Sequence, residues 1–276
     1  MAGASQQMKL VRVQPLMLAS PPPHEESRAA IAPRFAVIEG ETAWEIHGPF
    51  EGERNRTGRS WPIGEVRLLP PIVPTKVVCQ GRNYREHAAE LNNPVPKEPL
   101  IFLKPPSSVI GPEEPILLPE ISKHVDFEGE IAAVIGRACS QLTETDEVAP
   151  YVLGYTCLDD VTARDLQKAD GRFTRAKGFD TFCPLGPAIE TDFDLAGATV
   201  ATYVNGVRRQ FGRAAEMIFS VDAIIRWVSR IMTLVPGDVV ATGTPAGVGP
   251  LAHGDVVEVV VSGIGTLRNP VAQRED

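Results

Sequence analysis

The clearest pattern in the chain is a helical repeat of apolar positions in its C-terminal quarter. Six apolar residues recur at the spacing of one helix face: Val221, Ile224, Ile225, Val228, Ile231 and Met232. Ser220 can cap the N-terminus of this segment, and Pro236-Gly237 cannot continue it. The pattern therefore predicts one amphipathic helix that begins at Val221 and has ended by Pro236.

Most other regular segments are short apolar or alternating runs, which are typical of strands. They are Lys9–Val13, Phe35–Glu39, Thr42–Ile46, Lys76–Cys79, Leu100–Leu103, Phe127–Ile135, Tyr151–Leu158, Val200–Val204, Val207–Gln210, Asp238–Thr242 and Asp255–Ser262. Gly40-Glu41 and Asn205-Gly206 each separate two such runs and predict hairpins. Short helices are predicted over Arg85–Leu91 and Val161–Lys168. Many strands and few helices indicate a β-dominated α+β fold.

Prolines divide the chain into two parts. Pro70, Pro71 and Pro74 form a stiff linker, and we place a domain boundary there. Residues 1–74 are predicted to be a small β-rich N-terminal region with a partly flexible start, since 20–28 is charged and rich in proline. Residues 75–276 are predicted to form the larger domain.

Composition and charge narrow the classes of function. The 276 residues are 43% hydrophobic and 22% charged, which is typical of a globular protein, and the net charge is −8. A negative chain disfavours nucleic-acid and membrane partners, and no apolar run reaches the roughly 18 residues needed to span a bilayer. The four cysteines form no CxxC pair, so we expect free thiols and a cytoplasmic protein.

Acidic residues supply the first candidate site. Glu128 and Glu130 are two apart in a predicted strand and share a face, where like charges repel. A lone Glu-x-Glu is usually a solvated face, but here an apolar run follows. A divalent cation with oxygen ligands would relieve the repulsion. The pair Asp159-Asp160 lies at a strand-to-helix junction, where one aspartate is expected to cap the helix and the other can enter a site.

Three further features are weak evidence of a functional site when each is considered alone. His87 and Glu90 share a face of a short helix, an arrangement that orients a general base but also arises by chance. Lys177 alone is a surface lysine. The glycine-rich turn 242–249 lacks the spacing of a phosphate-binding loop or a dinucleotide fingerprint, so it is either a shaped hairpin or a place where backbone approaches a ligand.

Together, these segments resemble the fumarylacetoacetate hydrolase family over about 77–269. The matching motifs are Gly81-Arg82-Asn83-Tyr84 with His87 and Glu90, Phe102-Leu103-Lys104-Pro105, Asp126-Phe127-Glu128-Gly129-Glu130, Asp160-Val161-Thr162-Ala163-Arg164-Asp165 with Gln167, Lys177-Gly178-Phe179-Asp180-Thr181, 242–249, and Gly263-Ile264-Gly265-Thr266-Leu267. The resemblance implies a β-sandwich roll, usually assembled as a homodimer.

The resemblance also implies roles for individual residues. Metal binding falls to Glu128, Glu130 and Asp160, catalysis to His87, Glu90 and Lys177, and substrate binding to Arg82, Gln167 and Thr244. Asn commonly precedes the metal-binding Asp in the family, whereas this chain has Asp159. The implied cofactor is Mg²⁺ or Mn²⁺, with Ca²⁺ as a third candidate, and no organic cofactor is expected.

The activity expected from the resemblance is hydrolysis of a C–C bond in an acylpyruvate-type β-diketo acid, through a metal-bound enolate. The same enolate serves isomerisation of a hydroxymuconate-type diacid or decarboxylation of oxaloacetate, and both alternatives stay open. A protein that binds an oxo-acid without turning it over ranks below these enzymes, since the dyad and Lys177 are present. The expected partner is a small oxo-acid.

Overall fold

A computed structural model describes residues 8–16, 32–50 and 52–274. Its strands in the first part of the chain are β1 Lys9–Pro15, β2 Arg34–Glu39, β3 Thr42–Ile46, β4 Arg56–Pro62, β5 Val66–Leu69, β6 Val77–Gly81, β7 Leu100–Lys104, β8 Val109–Ile110, β9 Ile116–Leu118 and β10 Val125–Phe127. The later strands are β11 Gly129–Ile135, β12 Val152–Asp159, β13 Thr162–Ala163, β14 Cys183–Glu190, β15 Thr199–Val204, β16 Val207–Arg213, β17 Val239–Ala241, β18 Gly249–Pro250, β19 Val256–Val261 and β20 Gly265–Gln273.

Helices are few and short. The α-helices of the described residues are α1 Arg85–Glu90, α2 Arg164–Asp170, α3 Thr174–Lys177 and α4 Val221–Ile231. Single 3₁₀ turns span Ile63–Glu65, Pro106–Ser108, Ala149–Tyr151 and Ala214–Glu216. Within the described ranges, no helix has the length and apolar character needed to cross a membrane. The predicted β-dominated α+β fold is confirmed.

Two large sheets and a small one make up the architecture. The largest has the order β4-β3-β2-β1-β14-β12-β11-β17-β6-β7, with β5 beside β1 and β8 beside β14. A second sheet has the order β16-β15-β19-β20-β9, and a small one the order β13-β10-β18. Strand β1 pairs antiparallel with β14 through Lys9–Glu190 and Leu10–Ile189, so the first strands continue the sheet of the larger part. The boundary near residue 74 stays a prediction.

Apolar residues of three layers form the core. Ile131 and Cys157 of the large sheet pack against Val200, Val259 and Leu267 of the second sheet. Helix α4 covers another part of the large sheet, where its apolar stripe joins a cluster of buried strand residues: Val78, Ala133, Ile135 and Val240. The Ser220 side chain accepts a hydrogen bond from the Ala223 N–H and caps this helix, as predicted.

The structure corrects two local predictions. The run Phe127–Ile135 is two strands rather than one, because β10 ends at Phe127 and β11 begins at Gly129, which leaves Glu128 at the break. The helix predicted from Val161 begins at Arg164, since Thr162 and Ala163 pair with β10 instead. Its N-cap position is Ala163, so neither Asp159 nor Asp160 caps it.

Candidate active site

The three predicted metal-binding carboxylates lie together and are buried. Each of Glu128, Glu130 and Asp160 offers an oxygen within 4.8 Å of the others. Pairing between β11 and β12 brings them together, because Gly129 lies opposite Asp159. At the break before β11, the Glu128 N–H donates to Asp159 Oδ1 at 2.7 Å, and the Asp160 N–H donates to the Glu128 carbonyl at 2.9 Å.

Three cations pair with two of these carboxylates, Glu128 and Asp160. Lys177 Nζ donates to Glu128 Oε2 at 2.9 Å, to Asp160 Oδ2 at 2.5 Å and to Thr162 Oγ1 at 2.8 Å, which uses all three of its protons. Lys104 Nζ donates to the other oxygen of Asp160, Oδ1, at 2.6 Å. The Arg164 guanidinium pairs with Glu128 and also donates to Asp126 Oδ2 at 2.7 Å.

Burial and neighbouring charges raise the pKa of some acid groups in the cluster and lower that of another. Burial raises the pKa of Glu130 well above its ordinary value, and the charges of Asp160 and Glu128 raise it further. Burial likewise raises the pKa of Asp159 to about 7. For Glu128, burial acts in the same sense, but Arg164 and Lys177 outweigh it and hold the pKa of Glu128 below its ordinary value.

The charges in this cluster do not balance, which is the test of whether a divalent cation fits. Five buried carboxyl groups face three cations: Asp126, Glu128, Glu130, Asp159 and Asp160 against Lys104, Arg164 and Lys177. When all five carboxyl groups are ionised and His124, whose Nε2 lies 2.9 Å from Asp126 Oδ1, is neutral, two negative charges are uncompensated. Glu130 accepts the Gly243 N–H at 2.7 Å, and no lysine or arginine of the described ranges lies within ion-pair distance of it. A divalent cation with oxygen ligands fits this donor set.

The predicted acid–base pair is also formed. His87 in α1 is buried, and its Nδ1 lies 3.3 Å from Glu90 Oε2. Glu90 is fixed in turn by the Gly247 N–H, which donates to Oε1 at 3.0 Å. A proton on Nδ1 directed at Glu90 leaves Nε2 of His87 as an acceptor.

One cavity of about 520 Å³ joins the two groups. Its lining includes the three carboxylates, His87 and Lys177, together with the three predicted substrate-binding residues: Arg82, Gln167 and Thr244. Glu90 is not part of the wall and reaches the cavity through His87. Gln167 Oε1 accepts from Arg164 Nη1 at 3.1 Å, and Thr244 Oγ1 donates to the Gly129 carbonyl at 2.9 Å. The roles assigned to these residues stay predictions.

The glycine-rich turn approaches the site through its backbone. Gly243 has φ +96°, and a Cβ there would lie 2.6 Å from the Asn83 Cβ. Only glycine fits this position, which directs the Gly243 N–H at Glu130. Since Gly247 of the same turn holds Glu90, the turn contacts both the carboxylate cluster and the acid–base pair.

Sequence reasoning missed four polar residues around the site. Lys104 and Arg164 belong to the matching motifs but were given no role, and Asp126 was treated only as a neighbour of Glu128. A lysine at the end of the apolar run Leu100–Leu103 was an available signal for Lys104, which is 1% exposed. For Gln210, inside a predicted hairpin strand, the sequence carries no signal.

Known proteins similar to this chain cover almost its whole length. The family described as Fumarylacetoacetate (FAA) hydrolase C-terminal matches residues 76–272, and the family described as Rv2993c-like, N-terminal matches residues 28–71. Protein Rv2993c of Mycobacterium tuberculosis is 52% identical over 251 residues, which cover 87% of this chain and 94% of that protein. The mitochondrial oxaloacetate tautomerase fahd2 of Xenopus laevis is 45% identical over 219 residues, covering 75% of this chain and 68% of that protein.

A solved structure shares the fold. The crystal structure of 5-carboxymethyl-2-hydroxymuconate delta-isomerase from Mycobacterium smegmatis matches this chain with a TM-score of 0.85 and 44% sequence identity. The match covers 97% of this chain and 100% of that one. The similarity therefore includes the N-terminal strands as well as the cavity.

Proposed function

Because this chain belongs to the fumarylacetoacetate hydrolase family, whose members are enzymes, we propose that it transfers protons on a 2-oxo acid bound in the cavity. The reaction is the interconversion of isomers, either keto with enol or one double-bond position with another. A Mg²⁺ or Mn²⁺ ion held by Glu128, Glu130 and Asp160 would supply a Lewis acid for the carboxylate and 2-oxo oxygens of the substrate.

The observation that carries the proposal is the position of His87, which lies on the cavity wall and is paired with Glu90. Its Nδ1 lies 3.3 Å from Glu90 Oε2, and with the ring proton on Nδ1, directed at Glu90, Nε2 is the acceptor. Two carboxylates of the wall differ from His87, since Glu128 and Asp160 are both bound to Lys177. One base that takes a proton from carbon and returns it elsewhere is sufficient for isomerisation.

The remaining residues have supporting roles in this proposal. Lys177 holds Glu128 and Asp160 and adds positive charge beside the substrate oxygens. Arg82, which makes no ion pair within the described ranges, is placed to bind an anionic group of the substrate. Gln167 and Thr244 lie on the wall and can hydrogen-bond to substrate oxygens.

Two similar proteins support isomerisation through their names. The Xenopus laevis relative is called an oxaloacetate tautomerase and the Mycobacterium smegmatis protein a delta-isomerase. Both names describe the interconversion of isomers of a carboxylic acid, and we assign the proton movement of such a reaction to His87.

Hydrolysis of a C–C bond in an acylpyruvate is the second candidate. Glu90 orients His87 in a way that also suits activation of water, and the hydroxide formed would attack the distal carbonyl. Oxaloacetate decarboxylation uses the metal site without an attacking water, so it depends least on His87.

A proton-exchange experiment tests the proposal. Exchange of the C3 protons of oxaloacetate in D₂O is followed by NMR with saturating Mg²⁺, and release of pyruvate from an acylpyruvate is measured in parallel. The wild type should accelerate exchange, and His87→Gln should slow it by about 10²–10⁴-fold, the usual contribution of a general base. Exhaustive chelation should abolish exchange, and added Mg²⁺ or Mn²⁺ should restore it.

His253→Gln is the matched control. His253 is exposed and lines a different depression, so its loss should leave exchange unchanged. Exchange by His87→Gln at the wild-type rate would mean that the base has been misassigned. Acylpyruvate cleavage without accelerated exchange would favour hydrolysis instead.

A further inference from the structure

Gln210 is a buried amide outside the cavity whose hydrogen bonds all reach elements of the site. It lies in β16, in the second sheet, and is 1% exposed. Its Oε1 accepts the Gly129 N–H at 3.0 Å, while Nε2 donates to Thr244 Oγ1 at 2.7 Å and to the Pro245 carbonyl at 2.7 Å. The oxygen and both protons of the amide are therefore engaged.

Gly129 is the residue between two of the predicted metal ligands, and Gln210 holds it from the second sheet. In this stretch of β11, the neighbour β17 pairs only with residues 132–134, so no strand partner faces the peptide groups of Gly129 on that side. Gln210 binds its N–H and Thr244 binds its carbonyl instead. A Cβ at Gly129 would lie 2.0 Å from Thr202 Oγ1, and Thr202 is the cross-strand partner of Gln210. The side chains of Thr202 and Gln210 therefore pack closely against Gly129 and leave no room for a Cβ there.

The second contact region of β16 is the glycine-rich turn. A Cβ at Gly247 would lie 2.2 Å from the Arg209 carbonyl oxygen, and a Cβ at Gly212 would lie 2.7 Å from the Pro245 Cβ. The turn thus rests directly on β16 on either side of Gln210. Through Gly243 and Gly247, this same turn holds Glu130 and Glu90.

We propose that Gln210 is a positioning residue that fixes the metal-binding carboxylates and the His87–Glu90 pair relative to each other. It sets the backbone between Glu128 and Glu130 through Gly129, and it sets the turn that orients Glu90 through Thr244 and Pro245. The acid–base pair lies in α1, whereas the carboxylates lie in β11, directly before β11 and directly after β12. Gln210 contacts Gly129, between Glu128 and Glu130, and the turn that binds Glu90. The effect of Gln210 on the reaction rate rests on the proposed function, whereas its effect on metal affinity does not.

Metal binding is the first measurement. Mn²⁺ affinity is determined by electron paramagnetic resonance without substrate, on protein shown to be folded by circular dichroism. Gln210→Met keeps the length of the side chain and loses its hydrogen bonds, so we expect Mn²⁺ affinity to fall about 10–100-fold, as is typical when groups that orient metal ligands are removed. Gln273→Met, which changes an exposed glutamine of β20, should leave the affinity unchanged.

A second variant separates geometry from charge and serves if Gln210→Met does not fold. Gln210→Glu adds negative charge near the cluster, which by charge alone would tighten Mn²⁺ binding. It also loses the donors to Thr244 and Pro245, so the proposal predicts weaker binding. Wild-type or tighter Mn²⁺ affinity in Gln210→Glu would overturn the proposal.

The rate at saturating Mn²⁺ tests the link to the acid–base pair. If Gln210 positions Glu90 as well as the carboxylates, kcat for proton exchange stays at least 10-fold below wild type after the metal site is filled. Full recovery of kcat at saturating Mn²⁺ would overturn that link. Wild-type protein that binds Mn²⁺ without turning over any substrate would refute the proposed function but leave the affinity comparison intact.

Discussion

Replacement of Lys104 by methionine tests whether the buried charge network stabilises the fold. The Lys104 side chain is 0% exposed, and its Nζ lies 2.6 Å from Oδ1 of Asp160, which is 1% exposed. Methionine fills similar space but leaves this carboxylate oxygen without its cation. Removing one partner of a buried pair costs about 3–5 kcal/mol. Because Lys177 still contacts the other oxygen of Asp160, we expect a loss near the lower limit, about 3 kcal/mol.

The assay is unfolding of the metal-free protein by heat and by urea. A loss of about 3 kcal/mol corresponds to a fall in Tm of roughly 6–12 °C for a domain of this size. Lys123→Met is the control, since Lys123 is exposed and surface changes usually stay within about 0.5 kcal/mol.

Metal addition gives the second half of this test. Without Lys104, the cluster has three uncompensated negative charges instead of two when all groups are ionised, so Mg²⁺ should raise the Tm of Lys104→Met more than that of the wild type. Unfolding free energies within about 1 kcal/mol of wild type, without metal, would refute this account of the pair.

Two further predictions concern Glu190 and assembly. Burial raises the pKa of Glu190, whose Oε2 has no hydrogen-bond partner among the described residues. The folded protein therefore favours the protonated form of Glu190. The stability that this preference contributes is complete below the ordinary pKa of 4.5 and is lost as pH rises through the higher pKa of the folded state. Urea unfolding across this range should therefore show Glu190→Gln to be more stable than wild type at neutral pH and equal to it in acid, and equal stability at neutral pH would contradict the assignment. We also propose a homodimer on the basis of the family resemblance, and light scattering that gives the 29.8 kDa of one chain at micromolar concentration would refute it.

Elements with local signals could be predicted from the sequence. Helix α4 has an apolar stripe and a capping serine, and the hairpin of β15 and β16 has Asn205-Gly206 at its turn, so neither required knowledge of distant residues. Strand β14 was missed because Pro184, Gly186 and Pro187 usually interrupt a strand. Its position between β1 and β12 overrides that preference.

The residues of the candidate site also fall into those that the sequence could predict and those that it could not. Motif order was sufficient to nominate Glu128, Glu130 and Asp160, which the structure brings together. The partners that neutralise or hold these groups could not be nominated, since Lys104 is 56 positions from Asp160 in the chain and Gln210 is 81 from Gly129. Such contacts depend on how strands align across sheets, and no local pattern records that alignment.

The pairing of β1 with β14 has a consequence for shortened forms of this chain. Loss of β1 would expose the edge of β14 that β1 covers, at Ile189 and Glu190, and would leave main-chain N–H and C=O groups there without partners. A bare strand edge of this kind is a template on which another molecule can add, which leads to aggregation. We therefore expect loss of β1 to promote self-association through the large sheet, even though β1 contributes no side chain to the cavity.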